Sequence, residues 1–311
     1  VRVPSRMGVC GFGFGRNLTK LDYPVEEAIR SVLPVCDQFV FAVGKSDDDT
    51  RRRVERIDPK VSIIDTVWPD VKADGAVLAI EANKAMAAAQ ATGCTWGFYI
   101  QADEVIHEDD LPGIRAAMHY WAGHPEVKAL LFRYLHFYLD YQSTDPWCYH
   151  KACRVIRLDD SCEIVADACG PAIKDHTDSV ARPGRRGRSA YLDRHHLGGH
   201  VRWARDPQKS FAPVARVYHY GAVKTPQQLV SKLDVIEELW WGDLPKAERE
   251  RTMRERFPDP GRRHPILKRF RGSHPSVMAQ RIASHPVLPR TRSRWLRLGF
   301  YREVLSHGFK G

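Results

Sequence analysis

The sequence predicts an α/β protein built on a mainly parallel sheet flanked by helices, and three observations carry that expectation. Through residues 1–125, short apolar runs alternate with helical stretches, many of ten or more residues, a pattern that requires crossover connections between parallel strands. The 311 residues are 43% hydrophobic and 28% charged, enough to bury a core and too apolar for wholesale disorder. Charged loops follow the apolar runs, at the strand ends where ligands bind in such sheets.

Residues 8–14 are apolar and glycine-rich and read as a first strand that delivers Arg16 and Asn17 to its C-terminal end. Asp22 is placed to cap a helix with Pro24 in its first turn; Ala28, Ile29, Val32 and Leu33 form the apolar face, and Pro34 closes it. QFVFAV (38–43) is a second strand, followed by the acidic loop GKSDDDT (44–50) and a short helix ending near Ile57. KVSIIDTV (60–67) gives a third strand, residues 76–91 an alanine-rich helix, and WGFYI (96–100) a fourth strand running into QADEVIHEDD. A further helix covers 111–122. Beyond it, 127–138 and 154–158 read as strands, but the crowding of Phe132, Tyr134, His136, Phe137, Tyr138 and Tyr141 suits a pocket wall as well as a sheet. Residues 216–221 return as a short strand, 225–241 form an amphipathic helix with Pro226 near its start, and helical pieces recur around 276–282. Three regions are expected: 1–125 as a ligand-binding α/β half, 126–242 as the other half of the same domain, and 243–311 as a basic extension.

Charge is unevenly placed. Residues 246–311 hold 17 Lys and Arg against 5 Asp and Glu, which leaves 31 against 33 in the first 245 residues. The net charge of +10 is therefore a property of the tail and points to an acidic partner at that end. The seven cysteines are never spaced C-x-x-C, as expected of reduced, mostly buried thiols, and the spacing of Cys148, Cys153, Cys162 and Cys169 matches no common zinc pattern. No apolar run reaches the roughly 18 residues of a membrane helix and no signal-peptide pattern opens the chain, so a soluble, cytoplasmic protein is expected. Gly11-Phe-Gly13-Phe-Gly15 lacks the helix-opening pattern of a dinucleotide fingerprint and reads as close strand packing; Gly44-Lys45-Ser46 has Phe39 where a P-loop needs glycine. His195, His196 and His200, in an Arg- and Gly-rich loop, read as solvated or substrate-contacting side chains.

Five carboxylates follow the fourth strand: Asp103, Glu104, Glu108, Asp109 and Asp110. The last three read as charge at the N-terminus of the next helix. Asp103 and Glu104 leave the strand too early for that role. With the acidic loop at 47–49 on the same sheet edge, they suit a hard divalent cation that bridges to a phosphorylated ligand. The residues alone therefore indicate metal-assisted chemistry on a phosphorylated small molecule, with glycosyl and nucleotidyl transfer both open. The basic tail leaves nucleic-acid binding as a third reading, but no known nucleic-acid module is matched.

The runs RNLTKLDYPVEEAIRSVLPVCDQFVFAVGKSDDDT, WGFYIQADEVIHED, RYLHFY and YHYG, in that order and spacing, resemble the bacterial family 2 glycosyltransferases, which have the GT-A fold. The similarity spans about residues 8–240, and FRGSHPSVMAQRI also resembles a subgroup of that family. The resemblance implies a GT-A fold with a smaller acceptor-side region. It also implies inverting transfer of a sugar from a nucleotide sugar, UDP- or GDP-linked, to a hydroxyl of a glycan or glycolipid acceptor. QAD at 101–103 then stands for the family's D-x-D element, with Asp103 holding Mn2+ or Mg2+ against the donor diphosphate. Gln101 departs from the usual first Asp and, with Ala102, would face the donor through the ribose or a metal-bound water. Asp47 and Asp48 would contact the nucleoside, with Phe14, Arg16 and Asn17 lining the same pocket; Gly44 stands where many relatives carry Asp. His219 in YHYG matches a late histidine that binds the metal or the diphosphate. Asp167 in CEIVADACG matches an acceptor-side carboxylate that serves as base, with Glu163 and Asp175 as alternatives. Arg154 and Arg157 would either steady phosphate charge or flank a strand. Apart from the resemblance, the composition of the tail, basic and with Trp295, Leu296, Leu298, Phe300 and Tyr301, reads as docking to anionic membrane or to a phosphorylated glycan, or else as a plain solvated tail, and no nucleic acid is expected as partner.

Overall fold

A computed structural model describes residues 7–146, 148–174, 197–256 and 267–285. Asp175, His195, His196 and the tail aromatics from Trp295 to Tyr301 lie outside the described residues. β1 (Val9–Gly15) leads to α1 (Val25–Val32), β2 (Gln38–Gly44) through α2 (Thr50–Glu55) to β3 (Val61–Thr66), and α3 (Ala76–Gln90) to β4 (Trp96–Tyr99). Next come β5 (Glu104–Ile106), α4 (Leu111–Ala122), β6 (Ala129–Tyr138), β7 (Ser143–Thr144), β8 (Lys151–Arg157) and the hairpin of β9 (Cys162–Val165) and β10 (Gly170–Ile173). β11 (Val201–Trp203), β12 (Arg216–Ala222), α5 (Pro226–Trp241), α6 (Lys246–Arg256), β13 (Lys268–Arg269) and α7 (Ala279–Ser284) complete the described chain.

β3, β2, β1 and β4 are parallel neighbours in that order. β8 then runs antiparallel between β4 and β6; β6 carries β11 and β12 in parallel, and β5 pairs antiparallel with β12. The sheet is thus continuous from β3 to β12, and the parallel ends of β1, β2 and β4 open on one edge. Apolar helix faces cover both sides. Ile29 and Val32 of α1 and Ile114 and Met118 of α4 share a buried cluster with Phe39, Phe41 and Phe98, while Ala82, Ala85 and Met86 of α3 cluster with Phe12, Val40 and Tyr99. Register explains the glycines of β1. Gly11 and Gly13 pair with Phe39 and Phe41, and a Cβ at Gly11 would stand 2.2 Å from the Phe39 ring. The phenylalanines of β2 therefore lie across the glycine face of β1, and the five-residue run GFGFG serves sheet packing.

Several local expectations need correction. Asp22 does not cap α1, which begins after Pro24; Asp22 has φ 51 and its carbonyl accepts from Lys224 Nζ at 3.0 Å. Glu108 and Asp110 do not cap α4 with their side chains. The Glu108 carboxylate accepts the Ser276 N–H at 3.1 Å and Asp110 accepts the Arg216 N–H at 2.8 Å, so they tie later segments to this turn. Residues 267–285, which fall within the region set apart as a basic extension without testing that division, pack on the body: Met278 is fully buried and Arg281 pairs with Asp22 at 2.7 Å and Glu27 at 3.3 Å. His274 donates Nε2–H to the Tyr141 carbonyl at 2.8 Å and accepts the Tyr220 hydroxyl at 2.8 Å. All seven cysteines are free thiols. Among the described residues, no helix is long and apolar enough to cross a membrane.

Candidate active site

At the open edge, the loops after β1 and β2 are laced together. Asn17, in the left-handed region at φ 53, accepts the Asp47 N–H at 3.0 Å and gives its own N–H to Ser46 Oγ at 3.0 Å. Asp48 accepts the N–H groups of Lys20 and Thr50, each at 2.9 Å, so its carboxylate shapes the loop. Asp47 points outward and pairs with Lys20 at 3.0 Å; the hydrogen bond from Lys20 holds it below the usual carboxylate range. The Arg16 guanidinium lies 5.1 Å from the Trp68 ring centroid, and Phe14 lies 6.2 Å from it. Gly44 has a steric reason to be glycine: a Cβ there would stand 2.3 Å from Trp68 Nε1 and 2.9 Å from Arg16 Cβ. Trp68, which sequence reading missed, thus joins Phe14, Arg16, Asn17 and Asp47. Its Nε1 is buried with no hydrogen-bond partner. The available signal was its place just past β3, on the edge where the other strand ends carry polar groups.

The turn after β4 is clamped to β12, because Tyr220 N–H donates to the Asp103 carbonyl at 2.8 Å. Asp103 Oδ2 meets both His219 Nε2 and Lys232 Nζ at 3.3 Å. Lys232, from α5, also donates to the Gly221 carbonyl at 2.9 Å. Lys224 donates to the carbonyls of Leu21 and Asp22 at 2.6 and 3.0 Å, and both ammonium groups lie 4.9 Å from the Tyr23 ring centroid. Burial would raise the Asp103 pKa, but attraction to His219 and Lys232 outweighs it and keeps the carboxylate ionised well below the usual range. Burial, reinforced by Lys232, brings Lys224 down to about 8. Burial opposes the charge on Lys232 too, but Tyr23 and Asp103 raise it above an ordinary lysine. Gly221 makes the convergence possible. A Cβ there would stand 2.2 Å from Asp103 Oδ2, 2.7 Å from Lys232 Nζ and 2.9 Å from His219 Cε1. Sequence reading missed both lysines. Lys232 was detectable as a charged residue beside the buried positions Leu229 and Leu233 of an amphipathic helix.

Glu104 and Arg154 belong to the interior instead. The fully buried Glu104 carboxylate receives Arg154 Nε at 2.6 Å, Arg154 Nη2 at 2.5 Å and the Tyr134 hydroxyl. Glu104 is therefore no second ligand beside Asp103, and Arg154 is not aimed at phosphate. Arg157 donates to the carbonyls of Val127, Trp121 and His124 at 2.9, 2.8 and 3.0 Å, which satisfies the end of α4 and the loop after it. Gln101 turns its amide donors to Tyr99 Oη at 3.1 Å and the Ala168 carbonyl at 2.8 Å; Ala102 beside it is buried. Gln101 thereby holds the β9–β10 turn, and Asp167 within it, against the end of β4. Ala166 and Ala168 flank Asp167 at φ 56 and 60, a left-handed geometry that costs about 1–2 kcal/mol per non-glycine residue. Such strain is found where a turn residue is held in a demanding position. Glu163 lies within β9, opposite Ala172.

The residues expected to hold a divalent cation, Asp103 and His219, do meet. The other group on the same carboxylate oxygen is an ammonium, however, and Glu104 is taken by Arg154. Among the described residues, no three His, Cys, Asp or Glu side chains come together as a ligand set. A dication at Asp103 Oδ2 would meet Lys232 at close range, so this donor set does not fit a resident Mn2+ or Mg2+.

No protein-family model matches the chain, and no curated protein matches it. Among solved structures, the chain is similar to S. aureus TarS in complex with UDP-GlcNAc, at 13% identity and a TM-score of 0.38, over 80% of this chain and 71% of that chain. It is also similar to glucosyl-3-phosphoglycerate synthase from Mycobacterium tuberculosis in complex with Mn2+, UDP and phosphoglyceric acid, at 17% identity and a TM-score of 0.29. That match covers 44% of this chain and 45% of the synthase, less than half its length. Likenesses of this size assign no family to the chain.

Proposed function

We propose that the protein is a GT-A glycosyltransferase that moves a sugar, with inversion, from a UDP- or GDP-linked donor to a hydroxyl of a glycan or glycolipid. The observation that carries this reading is the convergence on one sheet edge of the Arg16–Asn17–Asp47 loops, the Asp103–His219–Lys232 cluster and the Asp167 turn. Neighbouring strands lie about 4.8 Å apart, so β2 and β4, on either side of β1, end about 10 Å apart. A nucleoside resting near Phe14, Arg16 and Trp68 would then reach the Asp103 cluster with its diphosphate.

Asp167 takes the proton of the acceptor hydroxyl as that oxygen attacks the anomeric carbon. The bond from that carbon to the diphosphate breaks, and the electron pair leaves with the nucleoside diphosphate. Cationic groups around Asp103 steady the charge that develops there. Mn2+ or Mg2+, expected from the family resemblance, has no step in this scheme because the donor set does not accommodate it. The basic tail supplies the proposed contact with anionic membrane on the cytoplasmic side, and salt-dependent vesicle binding lost on deleting residues 285–311 is the expected result.

The test is turnover by Asp103→Asn. With the anchor shared by His219 and Lys232 gone, nucleoside diphosphate release from the donor should fall on the order of 10²-fold while circular dichroism stays that of the wild type; full activity would refute the reading. Asp167→Asn should lose about 10²–10⁴-fold in transfer with nucleotide affinity unchanged. Free pyrophosphate formed from a nucleoside triphosphate would indicate nucleotidyl transfer instead.

A further inference from the structure

We propose that Lys232, held on Asp103 and backed by Lys224, supplies the positive charge that binds the donor diphosphate, so that the donor binds without a divalent cation. This rests on the nucleotide-sugar reading above and concerns how that same edge holds its ligand. Three features of the cluster point this way.

The first is position. Lys232 Nζ stands 3.3 Å from Asp103 Oδ2, at the exit of β4, which is the place the sequence resemblance reserves for a metal ion. The second is access. The side chains of Asp103, His219 and Lys232 keep 10%, 17% and 15% of their surface exposed, whereas the Glu104–Arg154 pair beside them keeps none. The cluster therefore keeps contact with solvent while the neighbouring ion pair is sealed.

The third is charge. Lys224 and Lys232 outnumber Asp103 by one charge at the cluster itself, while Arg281 with Asp22 and Glu27 beside it carries one net negative charge. The neighbouring Arg281 is taken up by Asp22 at 2.7 Å and Glu27 at 3.3 Å. A diphosphate approaching a buried carboxylate needs that carboxylate neutralised first, and the ammonium does this without a ligand cage. The surroundings lock Lys232 in place: the Gly221 carbonyl accepts from it at 2.9 Å, and Tyr23 lies under it. Such a preorganised cation needs little rearrangement when the ligand arrives.

The experiment is calorimetric titration of UDP and of GDP into the full chain, once with Mn2+ and once with EDTA, for the wild type, Lys232→Met and Lys232→Arg. One of the two nucleotides should bind the wild type with affinities within twofold in the two buffers. Lys232→Met should weaken binding at least tenfold in both, and Lys232→Arg should retain most of it. Loss of wild-type binding in EDTA, or wild-type affinity in a folded Lys232→Met, overturns the proposal. If Lys232→Met fails to fold by thermal melting, the EDTA comparison on the wild type and the Lys232→Arg variant decide. Absence of binding by the wild type to either nucleotide in either buffer overturns the nucleotide-sugar reading itself, and the proposal with it.

Discussion

Replacing Gly221 with alanine puts a methyl carbon where Asp103, Lys232 and His219 converge. The new Cβ would lie 2.2 Å from Asp103 Oδ2, whereas ordinary contact begins near 3.4 Å, so the carboxylate has to move by more than an ångström. Backbone strain is not involved, since Gly221 does not occupy the left-handed region. Movement of that size breaks the 3.3 Å contacts to His219 and Lys232. The groups are partly exposed, so the loss to the fold is on the order of 1 kcal/mol, or a few degrees in Tm for a domain of this size. The effect on function is larger, because a misplacement of about 1 Å in a positioning group costs on the order of 10²-fold in turnover. We therefore expect Gly221→Ala to melt within a few degrees of the wild type and to release nucleoside diphosphate about 10²-fold more slowly. A variant with wild-type turnover would refute the claim that this cluster holds the donor.

Two further outcomes follow from the interior around the site. Arg154→Met strands the fully buried Glu104 carboxylate and should lower the unfolding free energy by about 3–5 kcal/mol in denaturant titrations; an unchanged midpoint would mean the pair is not the buried anchor described. Lys224 titrates at about 8 in the fold against 10.5 in the unfolded chain, so between those values the unfolded chain binds more protons and stability rises with pH. The gain reaches about 3 kcal/mol, and it should appear in the wild type and vanish in Lys224→Met when the two are compared across that interval; a pH-independent difference between them contradicts it.

Much of the parallel half was legible because each strand there is a short apolar run with a polar exit. QFVFAV and WGFYI form strands within a residue or two of the expected bounds, and Thr225 with Gln228 closes a capping box at the start of α5, the helix flagged by Pro226. What local pattern could not show was partnership across the chain. Glu104 looked like Asp103 in sequence, but Arg154, 50 residues away, takes it into the core. Glu108 looked like helix-terminal charge, while its carboxylate accepts from Ser276, 168 residues away. Lys232 lies in the helix expected at 225–241 and Lys224 just before it, and only the closeness of β12, the turn after β4 and α5 turns them inward. Gly44 and Gly221 show the same limit. Each glycine is explained by the side chain above it, and neither Trp68 nor Asp103 is a sequence neighbour.

Hydrogen exchange on the full chain, with and without saturating UDP or GDP, tests most directly whether one edge holds the nucleotide. One nucleotide should slow exchange together at the backbone amides of residues 15–18, 44–48 and 219–223, the C-terminal ends of β1, β2 and β12 with the residues that follow them. Protection confined to other segments, or none at all with either nucleotide, would contradict it.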